Sequence, residues 1–199
     1  MDELADFATL KKTETFLNVL ARVQKKQHLA QYLSIEEEAV ILYYTTSAYE
    51  NLNKALRGLI ELKKEYNAFK NLLNRALSKL PNSSYNRENN FLYRSFKMSD
   101  EEIKANFTEG KVYTEKAFLS TSHNYDNFIN NWFKQNPSHN VIMKVQGKNG
   151  KLIEDVSDIY EESELLFKSG SQFEVISIRK IDNPVDFSKE VTEIILKEK

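Results

Sequence analysis

Cysteine is missing from the 199 residues altogether, which removes disulfides, thiolate catalysis and cysteine-based zinc sites and leaves the redox compartment open. Glycine and proline are scarce, five and three in the whole chain. Neither GxGxxG nor GxxxxGK followed by Ser or Thr occurs, so the glycine-rich phosphate cradles of Rossmann and P-loop proteins are not supported, and any dinucleotide must be held another way. No apolar run approaches the length of a membrane span. A net charge of −1 argues against an electrostatic grip on polyanions, so neither nucleic acid nor membrane is expected as a partner. The N-terminus, MDELADFATLKKTETF, is acidic where a Sec signal is basic and has no continuous apolar segment. A protein acting outside its cell of origin would then need another route of delivery, or would be cut from a longer chain.

What is present is ordinary globular material: 41% hydrophobic and 29% charged residues, enough for one domain, or one domain with a helical annex, that buries its core without staples. Residues 2 to about 80 carry apolar side chains at helical spacing. Ser34-Ile-Glu-Glu37 has the form of a capping box, which starts a helix at Ile35 that can run through Tyr43, Tyr44 and Ala48 to Leu56 and Leu59. A second stripe, Phe69, Leu72, Leu73, Ala76, Leu77 and Leu80, ends before Pro81. Asn82 to Asn90 reads as a loop. Beyond it strands are expected at 91–96, 116–122, 140–145, 165–167, 172–180 and 192–197, with a short helix opened by the Ser99–Glu102 capping box and an amphipathic one over Tyr125 to Phe133. Leu165 to Phe167, a turn at Lys168 to Gly170 and a return strand from Gln172 read as a hairpin. The whole is α+β, a helical layer on a split β core.

Three short segments carry the chemistry. Tyr93-Arg94-Ser95 puts a guanidinium into an otherwise apolar strand, where it calls for a carboxylate or a phosphate. Ser120-Thr121-Ser122 ends a second strand. Glu162-Ser163-Glu164 opens a third, and strand alternation would project both carboxylates to one side, roughly 7 Å apart. A glycosidase pair flanks its sugar from opposite faces rather than sharing one strand face, so that use of two carboxylates fits poorly. Asp155, Asp158, Glu161 and Glu162 miss the spacing of a calcium loop, and His28, His123 and His139 form no ligand spacing, so no metal is expected.

In this order and with these flanks, including Gly170-Ser-Gln-Phe173-Glu-Val175 and the segment Leu33 to Gly58, the chain resembles the mono-ADP-ribosyltransferase family, in its Arg-Ser-Glu class. The resemblance covers roughly residues 33 to 180. It implies a catalytic domain over 33–199, with helices over 33–80 and a β-rich core over 91–199, preceded by a helical extension over 1–32. It implies NAD as substrate and no metal. Arg94 would bind the NAD phosphates, with Tyr93 and Ser95 beside it. Ser120 would support the nicotinamide ribose and position Glu164, while Thr121 would mainly shape the strand. Glu164 would be the catalytic glutamate and Glu162 the mark of an arginine-directed member. Tyr160 would help position the protein target, and Phe133, with Trp132 second, would meet nicotinamide. The partner would be a host or competitor protein carrying a target arginine, reached by secretion or non-Sec delivery of a bacterial or phage toxin or effector. The first 32 residues could dock a carrier or an immunity protein, although helix packing explains them as well. An NAD glycohydrolase and a catalytically idle fold acting as an interaction module are the alternatives.

Overall fold

The computed structural model describes residues 3–87, 90–157 and 163–199. Among them, the chain divides into two compact units, one drawn from Met1–Pro81, Lys116–Phe118 and Ile153–Tyr160 and the other from Asn82–Glu115, Leu119–Leu152 and Glu161–Lys199. Residues up to 32 therefore cluster with the helices that follow them.

The first unit holds helices α1 (Glu3–Leu10), α2 (Glu14–Lys25), α3 (Ile35–Tyr43), α4 (Tyr49–Leu56) and α5 (Lys64–Lys79). The capping box expected at Ser34 is formed: its hydroxyl accepts from the Glu37 N–H and the Glu37 carboxylate accepts from the Ser34 N–H. Glu37 is buried and also receives Lys79 of α5. The long helix expected through Ala48 is interrupted. Thr46 is extended (φ −81°, ψ −175°), and the hydroxyls of Thr45 and Thr46 donate to the carbonyls of Leu42 and Tyr43, three residues back. Such back-bonding competes with the helix ladder, which is why two adjacent threonines mark the break. In this unit Phe16 meets Tyr43 edge to face and Tyr43 lies tilted against Phe69, and Asn53 ties Tyr44 to the Phe118 N–H.

Among the described residues, the second unit is built on a mixed sheet of eight strands: β1 (Leu92–Phe96), β2 (Val112–Thr114), β3 (Leu119–Ser122), β4 (Val141–Gln146), β5 (Lys151–Leu152), β6 (Glu164–Phe167), β7 (Gln172–Asn183) and β8 (Asp186–Glu198). Their order is β2-β7-β8-β4-β1-β3-β6-β5. One face carries the main core: Leu92, Leu119, Met143, Val145, Leu165, Phe167, Phe173, Ile194 and Leu196, with α6 (Asp100–Asn106) contributing Ile103. The other carries Phe128, Phe133, Ile142 and Val191, with Tyr93 and Trp132 packed against them.

The hairpin expected between β6 and β7 does not form. The turn at Gly170 is there, with φ 84° and a bond from Ser171 to the Lys168 carbonyl, but its flanking backbone exchanges hydrogen bonds with Glu115. The strands it joins lie far apart in the sheet: β6 pairs with β3 and β5, while β7 turns at Asn183 and pairs along its length with β8. Burial of all four residues of β6 is the mark of an interior strand covered on both faces.

Gly147 and Gly150 admit Phe167 and Asn86 where no side chain would fit. A Cβ at Gly147 would come within 2.6 Å of Phe167 Cζ and 2.9 Å of Asn86 Oδ1, and the ring, being fully buried, has no room to yield. Gly147→Ala is expected to cost about 1–3 kcal/mol through overpacking, read as a lowered urea midpoint; an unchanged midpoint would mean that the β6 end of the core is loosely packed.

Candidate active site

Strand β3 is where the sequence motifs meet. It faces β6 through Leu119↔Phe167, Ser120↔Leu166, Thr121↔Leu165 and Ser122↔Glu164, and it meets β1 at one ladder pair, Tyr93↔Ser122. Opposed residues of an antiparallel ladder project to the same side, so Tyr93, Ser122 and Glu164 stand in a row, with Ser120 two residues along. Glu164, the first residue of β6, is buried at 4% exposure.

Arg94 leaves β1 on the opposite side, across from Met143. Its Nη1 donates to the carbonyl of Ser120 at 2.8 Å, taking an acceptor that the β1–β3 ladder leaves open. Among the described residues, no carboxylate forms an ion pair with this half-buried guanidinium. The contrast with the nearby strands is direct: Glu193, 1% exposed, is neutralised by Lys144 and Arg179. Burial works against that carboxylate's charge, but its hydrogen bonds to the two cations outweigh burial and hold its pKa low. A forked cation set into a strand without a carboxylate is chemically a seat for a phosphate or similar anion.

The remaining sequence candidates fall as follows. The Thr121 hydroxyl donates to the Leu165 carbonyl and is buried, consistent with a strand-shaping part. Ser95 is buried on the Tyr93 side of β1, and its Oγ is bonded to His139 Nδ1 at 2.9 Å. Tyr93 packs on Tyr125 and Phe128, and burial first, then the Tyr125 and Glu193 charges, raises its phenol pKa. Phe133 is 2% exposed and its ring packs in the core with Phe128, in the stretch Phe128–Phe133 that winds as a π-helix. Trp132 keeps partial exposure. Tyr160 and Glu162 lie outside the described residues. Ser163, between the two glutamates, has φ 50°, outside strand geometry, and β6 starts only at Glu164, so strand alternation does not relate the two carboxylates.

Sequence reasoning gave no part in the site to Ser163, Asn127 or the Tyr85–His123 pair, whose rings stack at 3.7 Å beside the end of β3; only the local backbone brings them there. Among the described residues no cluster of three His, Asp or Glu suited to a metal is found, and no helix is long and apolar enough to cross a membrane.

Fold and site together define a mixed-sheet protein in which an arginine of β1 and a buried glutamate of β6 stand on strands that flank β3. The chain belongs to the ADP-ribosyltransferase exoenzyme family, whose model matches residues 22–199. It is 33% identical over 156 residues to the NAD(+)–protein-arginine ADP-ribosyltransferase Tre1 of Pseudomonas putida (strain GB-1), covering 78% of this chain and 27% of that protein. To the Tre1 protein of Serratia proteamaculans (strain 568) it is 32% identical over 150 residues, covering 75% and 30%. The chain thus spans about three-tenths of the length of these curated relatives. Exoenzyme S from Pseudomonas aeruginosa, solved with human 14-3-3 protein beta and Carba-NAD, shares the fold with a TM-score of 0.69 at 22% identity, covering 98% of this chain and 88% of that one.

Burial first, then the Arg94 charge, holds the His139 imidazole below its ordinary value. The unfolded chain then takes up a proton near pH 6.5 before the folded protein does, so stability is complete above that pH and declines as pH falls through it. Between pH 7.5 and 5.5 the urea midpoint should fall more in the wild type than in His139→Gln; equal declines would remove His139 as the cause.

Proposed function

We propose that this chain is the catalytic part of an NAD-dependent mono-ADP-ribosyltransferase that moves ADP-ribose from NAD to a protein arginine and releases nicotinamide. The observation that carries this reading is Arg94 of β1, half-buried, without a carboxylate partner among the described residues, and bonded to the Ser120 carbonyl of β3, the strand that faces Glu164. The names of the Tre1 relatives support arginine as the acceptor.

In this reading the Arg94 guanidinium binds the NAD phosphates and so fixes the dinucleotide against β3. Ser120 supports the ribose and the placement of Glu164. Breaking the bond between nicotinamide and the ribose sends its electron pair to the pyridinium ring, so nicotinamide leaves neutral and no general acid is needed. Positive charge then develops on the sugar, as in glycoside cleavage, and the Glu164 carboxylate, largely withdrawn from water, stabilises it more strongly than an exposed one would. An arginine acceptor has a pKa above about 12 and gives up a proton as it attacks. Glu162 takes that proton. Tyr160 helps to seat the target protein, and Trp132, with part of its ring exposed, is the aromatic proposed to meet nicotinamide in place of Phe133.

The partner is a host or competitor protein bearing the target arginine, and delivery of the chain as a toxin or effector is in keeping with its family. A catalytic domain over 33–199, with 1–32 serving an additional contact to a carrier or immunity protein, remains part of this proposal.

Glu164→Gln is expected to abolish nicotinamide release and transfer together, because one carboxylate serves both; hydrolysis near the wild-type rate would refute its role. Glu162→Gln should spare much of the hydrolysis and lose transfer, and equal loss of both would assign Glu162 to NAD binding. Arg94→Ala should raise the KM for NAD by at least about tenfold, equivalent to one charge-assisted hydrogen bond, and remove the rise in Tm that NAD gives the wild type. An unchanged KM would return Arg94 to a structural part.

A further inference from the structure

We propose that Asn127 is a positioning residue for Glu164, acting through Ser163. The inference rests on the reading of Glu164 as the carboxylate that stabilises charge on the ribose, and it concerns what holds that carboxylate in place.

Ser163 is the one non-glycine residue with a positive φ among the described residues, at 50°, and it is buried at 7% exposure. Serine adopts this left-handed conformation only where its surroundings enforce it. Here two neighbours do so. The His123 N–H donates to the Ser163 carbonyl at 3.0 Å, continuing the β3–β6 hydrogen bonding one step past the pair Ser122↔Glu164. The Asn127 Nδ2 donates to Ser163 Oγ at 3.3 Å.

Asn127 is itself held from β3. Its N–H donates to Asn124 Oδ1 at 3.0 Å. Asn124 is fixed in turn by Ser122, whose Oγ accepts from the Asn124 N–H at 3.3 Å and donates to the Asn124 carbonyl at 3.1 Å. Ser122 is the residue directly across from Glu164. The bonds thus close a ring, from Ser122 to Asn124 to Asn127 to Ser163, and through the backbone to Glu164 and back across the ladder.

β6 begins at Glu164, so the backbone before it is held at the Ser163 carbonyl by the His123 N–H and at the Ser163 side chain by Asn127. Without the Asn127 contact, Ser163 can relax toward negative φ, and that rotation swings the Glu164 backbone and its carboxylate. Displacement of a group by about 1 Å from its productive position can cost on the order of a hundredfold in rate. Arg94, which grips the other end of β3, is untouched by this movement. The ring therefore bears on the chemical step and not on NAD binding.

The test is steady-state nicotinamide release by Asn127→Ala, Ser163→Ala, the double variant and Glu164→Gln, each with its Tm. Asn127→Ala is expected to lower kcat by about tenfold with the KM for NAD within about twofold of wild type. Ser163→Ala, which removes the acceptor rather than the donor, should give the same split, and the double variant should be no slower than the slower single one, since both break one contact. Unchanged kcat in Asn127→Ala beside an inactive Glu164→Gln would overturn the proposal alone. Multiplying losses in the double variant, or a rise in KM equal to the fall in kcat, would also overturn it. Activity persisting in Glu164→Gln would instead overturn the reading of the site on which the proposal rests, and the proposal with it.

Discussion

The hydrogen bond from Arg94 Nη1 to the Ser120 carbonyl, 2.8 Å long, is the contact on which the geometry of the site depends. The eight-stranded sheet narrows to one ladder pair between β1 and β3. On one side of that junction lie β4, β8 and β7, and on the other β6 and β5. A sheet joined so narrowly needs another link there, and a guanidinium supplies it while committing only part of its five donors. The same side chain that couples the two halves thereby presents a cation where their ladder stops, and Ser122, two residues beyond Ser120 along β3, stands across from Glu164 of β6.

Charge elsewhere in this unit is treated differently. Glu193 sits between Lys144 and Arg179, and Glu198 accepts from the N–H groups of Lys148 and Asn149 and from the Asn149 side chain. These carboxylates are satisfied within the fold, as buried charges must be. Among the described residues Arg94 has a backbone carbonyl in place of a carboxylate, which orients the guanidinium without neutralising it. That difference is what supports the proposal of Arg94 as the seat of an incoming anion.

Much of this was legible in the sequence. Both capping boxes form as their spacing requires, and the apolar stripe of α5 faces its core, because local hydrogen bonding and helical periodicity are short-range properties. The strands bearing Arg94, Ser120 and Glu164 were legible too, from continuous apolar flanks. Strand pairing was not. The glycine turn at 170 suggested a hairpin, but nothing local says that β7 prefers β8, whose long ladder outweighs a short one with β6. The orientation of Phe133 and the left-handed Ser163 were hidden for a related reason: a π-helical winding and a single positive φ follow from tertiary packing, which residue spacing does not encode.

The account stands on Glu164 and Arg94 acting on NAD with arginine as the acceptor. The direct test is incubation of the purified chain with labelled NAD and agmatine or poly-arginine, with nicotinamide release and label transfer scored separately. The account predicts both, with label on the guanidinium acceptor. Nicotinamide release without transfer would contradict the arginine acceptor and favour a glycohydrolase, and the absence of any release would contradict catalysis and leave the fold as an interaction module.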